Sequence, residues 1–201
     1  MQKFYKPLLF SVSLTPVSIL IYNGLTDNLT ANPIEHITYF TGDWTIYFLL
    51  ITLSITPLRN LTGRTSLIRY RRMLGLFAYF YACLHFLTYI VLNQFFDIDA
   101  ISEDIIDRPY ITIGFTAFVL LAPLAVTSTK KMVTRLGNRW RQLHSLIYLI
   151  TGLGILHYYW LVKADTRIPI LLAIIFIILM VLRLKWAKNL RNLIFNKITS
   201  C

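Results

Sequence analysis

At 201 residues, 56% hydrophobic, 14% aromatic and only 14% charged, the chain has a membrane protein's composition and the length of one compact domain. A formal charge of +11 would point a soluble protein toward nucleic acid, but here the basic residues form juxtamembrane clusters that orient the chain and meet anionic lipid, which excludes that partner. No glycine-rich phosphate loop, low-complexity segment or internal repeat is visible and only 17 residues follow Leu184, so nucleotide chemistry is expected to come from another chain.

Six apolar segments follow in order: 8–22, 44–58, 74–92, 110–128, 143–162 and 168–184. About twenty residues cross a hydrocarbon core, so the third to fifth span fully and the others need a tilt or polar flanks. The first follows Lys3 and Lys6 as a signal peptide would, but no small-residue cleavage site follows and Pro16 interrupts it, so it is expected to be an uncleaved anchor. The amino terminus, residues 59–72 and 129–141, and the carboxyl tail hold 17 of the 20 Lys and Arg residues. The alternate connections hold Arg108, Lys163, Arg167 and all nine acids, Asp27, Glu35, Asp43, Asp97, Asp99, Glu103, Asp104, Asp107 and Asp165. The positive-inside rule then predicts an all-α integral membrane protein, a six-helix transmembrane bundle with both termini cytoplasmic. Trp44, Trp140, Trp160 and Trp186 stand near span ends, as an aromatic belt would place them. Cys83 and Cys201 are too far apart in the predicted topology to suggest a disulfide and are taken as structurally neutral.

Ionisable groups inside a bilayer are costly, by about 2.5–3.5 kcal/mol for a central charge on insertion scales, and so default to function. Three of the four histidines fall in spans. The fourth, His36, reads as a solvated residue of the first outer loop. The third helix leaves the basic side near Arg72 and the fifth near Arg141, so His85 lies about 20 Å and His157 about 22–24 Å along parallel axes. Two neutral imidazoles at matched depth are expected to clamp a haem iron, with the porphyrin faces buried among apolar side chains.

His144 lies near the inner start of the fifth helix, level with Arg71 and Arg72. Arg71 is on much the same face of its helix as His85 and suits a propionate or an anionic headgroup; iron ligation by arginine would be unusual. Basic-side anchoring explains Arg71, Arg72, Arg139 and Arg141 equally well. The thirteen residues between His144 and His157 turn about 140° on an ideal helix. Either the two face different neighbours or the helix is overwound at Gly152 and Gly154, which can alternatively admit a macrocycle to the backbone. Tyr158 and Tyr159 read as belt residues.

The runs TGDWTIYFLLITLSITPLRNLTG (41–63), RRMLGLFAYFYACLHFLTY (71–89), LAVTSTKKMVTRLGNRWRQLHSLIY (124–148) and HYYWLVKAD (157–165) resemble the MsrQ family, also called YedZ. This family provides the haem-binding membrane subunit of the periplasmic methionine sulfoxide reductase system, within the ferric reductase-like transmembrane superfamily. The resemblance runs from about Pro7 to Trp186 and implies a multi-pass protein of the bacterial inner membrane. By that resemblance electrons arrive from the quinone pool or a cytoplasmic flavin reductase, pass through haem b, and leave to MsrP, a periplasmic molybdopterin reductase that repairs oxidised methionines. The family's haem histidines match His85, His144 and His157. Arg71 stands where the superfamily's fourth histidine is expected, so the resemblance implies one haem or two. It also implies FMN, which no feature of the sequence locates.

Other readings are a quinol-oxidising cytochrome or ferric reductase serving another acceptor, and a histidine-relay proton-coupled transporter. The transporter would need carboxylates within the spans, and all nine lie outside or at their edges. The acidic loop DIDAISEDIID (97–107) is either a docking face for the reductase or a solvated loop obeying the charge rule.

Overall fold

The computed structural model describes residues 2–162 and 165–199, with the side chains of 5–162 and 165–184. Lys163, Cys201, and the side chains of Lys3, Trp186 and the basic residues after position 184 lie outside the described residues. Among the described residues there is no strand. The helices are α1 (Gln2–Leu25), α2 (Pro33–Thr62), α3 (Ile68–Thr88, continued by a π turn over Tyr89–Asn93), α4 (Ile98–Asp107), α5 (Pro109–Val126), α6 (Lys130–Leu136), α7 (Asn138–Leu161) and α8 (Arg167–Thr199).

Four helical stretches, Tyr5–Leu25, Thr65–Asn93, Pro109–Val126 and Arg167–Leu184, are long and apolar enough to cross a membrane. Helices α2 and α7 match them in length, at 30 and 24 residues, but carry more polar side chains. The helices outrun several of the apolar segments because capping, not hydropathy, sets their ends. Helix α2 starts eleven residues before segment 44–58: Asn32 accepts from the Glu35 N–H and donates to the Glu35 carboxylate, and Pro33 follows as first helical residue. It ends where Gly63 takes a left-handed conformation at φ 68°. His36 is therefore half-buried on α2, 6.0 Å from the Phe40 ring, and is not a loop residue. The acidic stretch 97–107 is likewise helical rather than a loop. Asp97 caps α4 by accepting from the Ala100 N–H, and Asp104 turns inward to 8% exposure.

Helix α2 packs chiefly on α3, and α5 on α7, while α8 covers α7 and α2. The α2–α3 seam is aromatic: Phe48 stacks on Tyr81 at 5.2 Å and on Phe77 at 5.7 Å, and Trp44 lies 6.2 Å from Tyr81. Trp44 thus belongs to the interior as much as to any interfacial belt. Tyr81 also repairs α1. Pro16 disturbs the helix ladder there, and the Tyr81 hydroxyl accepts from the Val17 N–H (3.3 Å) while donating to the Ser13 carbonyl (2.9 Å). Tyr81→Phe removes both bonds beside the buried Ser13, so it is expected to cost about 1–3 kcal/mol, read as a lower melting temperature. Unchanged melting would mean that water takes the place of the hydroxyl.

Candidate functional site

A cavity of about 430 Å³ opens between α2, α3, α5 and α7, within the range of small-molecule and cofactor pockets. His85 and His157 line it from opposite walls, with ring centres 6.2 Å apart and planes 72° to one another. The depth match expected along the two helices is thus met by side chains that face each other.

Each imidazole is held in the same way. His85 Nδ1 lies 2.9 Å from the Thr38 carbonyl oxygen, and His157 Nδ1 lies 2.7 Å from that of Tyr110. A carbonyl can only accept, so Nδ1 carries the proton on both rings and Nε2 keeps its lone pair. One turn beyond each carbonyl stands a glycine against the same ring. A Cβ on Gly42 would come within 3.1 Å of His85, and one on Gly114 within 2.7 Å of His157 Nδ1. The two sets share one spacing, since carbonyl and histidine are 47 residues apart in both and each glycine follows its carbonyl by four. This is a geometric repeat of helix pairs, α2–α3 and α5–α7, where the letters of the sequence show none.

Small residues stand one turn before each histidine, Ala82 on α3 and Gly154 on α7, and both border the cavity. Gly152 faces elsewhere: its missing Cβ would meet only Phe176 of α8, at 3.9 Å. Helix α7 runs unbroken through both glycines, so there is no overwound turn, and His144 and His157 address different neighbours. The deeper walls are apolar, with Phe86 stacked on Phe118 at 4.5 Å. The mouth is polar. There the π turn after His85 brings Asn93 to the Thr38 hydroxyl (3.2 Å), and Asp104 accepts from Tyr89 (3.1 Å) and Gln94 while pairing with Arg108 (3.1 Å). Tyr158, expected in the interfacial belt, lines the cavity with Asp43; Tyr159 and Trp160 are exposed, as a belt requires.

The arrangement suits a haem. A metal ligated by an imidazole lies about 2.0 Å from the nitrogen, so two rings sharing one iron sit about 6 Å apart, centre to centre. Nε2 is the nitrogen left bare on both rings, and the backbone carbonyls supply the outer hydrogen bond that orients a ligating histidine. Among the described residues no three His, Cys, Asp or Glu side chains gather as a bare metal ion would need, whereas a porphyrin brings its own equatorial nitrogens.

His144 lies outside the cavity. Its Nε2 is 3.0 Å from the Thr127 hydroxyl, which already donates to the Pro123 carbonyl at 2.6 Å. His144 Nε2 is therefore the donor and Nδ1 keeps the lone pair, the opposite tautomer to His85 and His157. Trp140 stacks on its face at 4.0 Å and donates to the Thr127 carbonyl, so this tryptophan also has a tertiary task. Arg71 is half-buried and within electrostatic reach of His144, while Arg72 is exposed. Cys83 is free and half-buried.

Residues 41–155 match the family described as ferric reductase like transmembrane component. Over 190 residues the chain is 54% identical to the protein-methionine-sulfoxide reductase heme-binding subunit MsrQ of Herminiimonas arsenicoxydans, covering 93% of this chain and 87% of that relative. The MsrQ of Polaromonas naphthalenivorans is 51% identical over 157 residues (78% and 72%), and that of Xanthomonas euvesicatoria 47% over 189 (91% and 86%).

Proposed function

The chain belongs to the MsrQ family of haem-binding subunits, within the ferric reductase-like transmembrane components, and from that premise we propose how its residues serve the family's task. It is the membrane electron-transfer subunit of a methionine sulfoxide reductase system. Our reading is that His85 and His157 hold one haem b through their Nε2 atoms. The observation that carries it is the pair of facing rings, 6.2 Å apart, each turned by a backbone carbonyl so that the ligating nitrogen is bare. A haem held by His85 and His157 would supply one-electron exchange. The chain's part is to orient both rings, to exclude water with aromatic walls, and to leave a polar rim at the mouth.

Six spans, α1, α2, α3, α5, α7 and α8, with both termini cytoplasmic in a bacterial inner membrane, fit this role. The polar side chains that keep α2 and α7 from reading as apolar spans include those facing the cavity, where intramembrane polarity is expected to be functional. The charge asymmetry of the sequence supports a cavity mouth on the periplasmic side, toward an MsrP-type molybdopterin reductase. Electrons enter from the quinone pool or a cytoplasmic flavin reductase. The family resemblance extends to FMN, for which we assign no residues here.

The test mixes reduced protein with an MsrP-type reductase. Reoxidation that depends on methionine sulfoxide is the expected result, and reoxidation indifferent to it would favour a ferric reductase or another acceptor. His144→Ala is expected to keep the full visible spectrum of the His85–His157 haem, because His144 bonds Thr127 instead of facing the cavity. Loss of a second, separable haem signal in that variant would restore His144 as a ligand.

A further inference from the structure

Away from the cavity mouth the bundle holds a second polar constellation that haem binding leaves unused. Arg183 of α8 turns inward, donating from Nη1 to the Tyr148 hydroxyl of α7 (2.5 Å) and from Nη2 to the Leu53 carbonyl of α2 (2.6 Å). Its guanidinium carbon lies 5.2 Å from the Tyr148 ring centre. An arginine that only anchors a helix extends its head to water, whereas this one is committed to two other helices. Both of its acceptors are neutral, and its Nε is buried without a hydrogen-bond partner. The hydroxyls of Thr52 and Thr56, on α2 close to Leu53, are buried and unpartnered as well.

More positive charge gathers there. Arg71 of α3 is within electrostatic reach of Arg183, Tyr148 and Arg59. No carboxylate side chain can answer it: the sequence has no Asp or Glu between residues 43 and 97, between 107 and 165, or after 165. The ion pairs among the described residues, Arg108–Asp104 and Arg167–Asp165, lie on the acidic side. A half-buried guanidinium without a counter-charge among the described residues and three orphaned polar atoms are each costly, and a bound anion would offset that cost.

We propose that Arg183 and Arg71, with the Thr52 and Thr56 hydroxyls, bind a single phosphate group between α2, α3, α7 and α8. The donors come from three helices, which suits the several oxygens of a phosphate better than the two of a carboxylate, and forked guanidinium donors favour such groups. The site lies on the basic side of the molecule, where anionic headgroups collect. A lipid headgroup and a soluble phosphate ester share this chemistry.

The experiment titrates inorganic phosphate onto the haem-loaded, full-length protein in uncharged detergent, against chloride at equal ionic strength, while following thermal unfolding. Wild type is expected to show a saturable rise in melting temperature. Arg183→Gln should raise the half-saturating concentration at least about tenfold, Arg183→Lys should keep part of the response, and Lys131→Gln, an exposed lysine on the same side, should keep all of it. Arg71→Gln carries the same expectation as Arg183→Gln if the latter does not fold. In phosphatidylcholine vesicles containing phosphatidylglycerol, loss of the phosphate response identifies a headgroup as the occupant, and its persistence identifies a soluble ester. A wild type that responds to phosphate no more than to chloride, or a glutamine variant that responds like wild type, overturns the proposal. The Soret band of the same samples reports the histidine site, so failure there and failure here are told apart.

Discussion

Replacing His157 or His85 by alanine, with haem supplied during expression, is expected to cut the reducible b-type absorbance at least about tenfold, since losing a ligand costs no less than losing the outer partner that orients one. Neither variant has a substitute ligand within the cavity. The remaining imidazole offers one Nε2, and the other polar groups on the walls and rim are amides, hydroxyls, carboxylates and Arg108, poor ligands for haem iron beside imidazole. The loss should be equal for the two histidines, since both are oriented by a carbonyl at the same sequence distance. The reduced-minus-oxidised spectrum and the haem-to-protein ratio check it. A full-strength signal in either variant would mean that the 6.2 Å pair is not the haem site.

Gly114→Ala is expected to give the next largest effect, and its sign sets packing against helix propensity. Alanine favours a helix over glycine by about 1 kcal/mol, so by local preference alone the substitution should stabilise α5. The added Cβ would sit 2.7 Å from His157 Nδ1, where the ring cannot retreat without losing the Tyr110 carbonyl. Overpacking of this kind costs about 1–3 kcal/mol, and it falls on the imidazole that must stay aligned. Gly42→Ala, at 3.1 Å from His85, should be milder. Gly152→Ala, whose Cβ meets only Phe176 at 3.9 Å, should be neutral or stabilising. Melting temperature and haem retention measured together should rank Gly152→Ala highest, then wild type, Gly42→Ala and Gly114→Ala. A Gly114→Ala protein as stable and as haem-loaded as wild type would show that α5 can shift away from α7.

The pairing of His85 with His157 is legible in the amino-acid sequence because helix rise is constant, so depth can be counted along two parallel spans. The glycines and carbonyls that hold the rings are not legible by that route, since Thr38, Gly42, Tyr110 and Gly114 act from neighbouring helices. Their shared spacing is a signal open to a search for repeats by offset rather than by letters. The surroundings of His144 are equally hidden from that route, because which of its nitrogens carries the proton is set by the Thr127 hydroxyl and the Pro123 carbonyl at the end of another helix. The acidic segment 97–107 reads as a loop because its charges mask an amphipathic helix, whose Asp104 binds back to Tyr89 and Gln94.

Composition and charge order by themselves determined that this is a helical membrane protein and where its basic side lies, because the cost of placing a charge in lipid is incurred residue by residue. They also determined which two histidines reach a common depth. Only the tertiary structure decided that those rings face one another with Nε2 bare, that His144 bonds Thr127 outside their cavity, and that half-buried Arg183 meets only neutral acceptors. Each of these depends on contacts across helices, which the periodicity of a single helix does not encode.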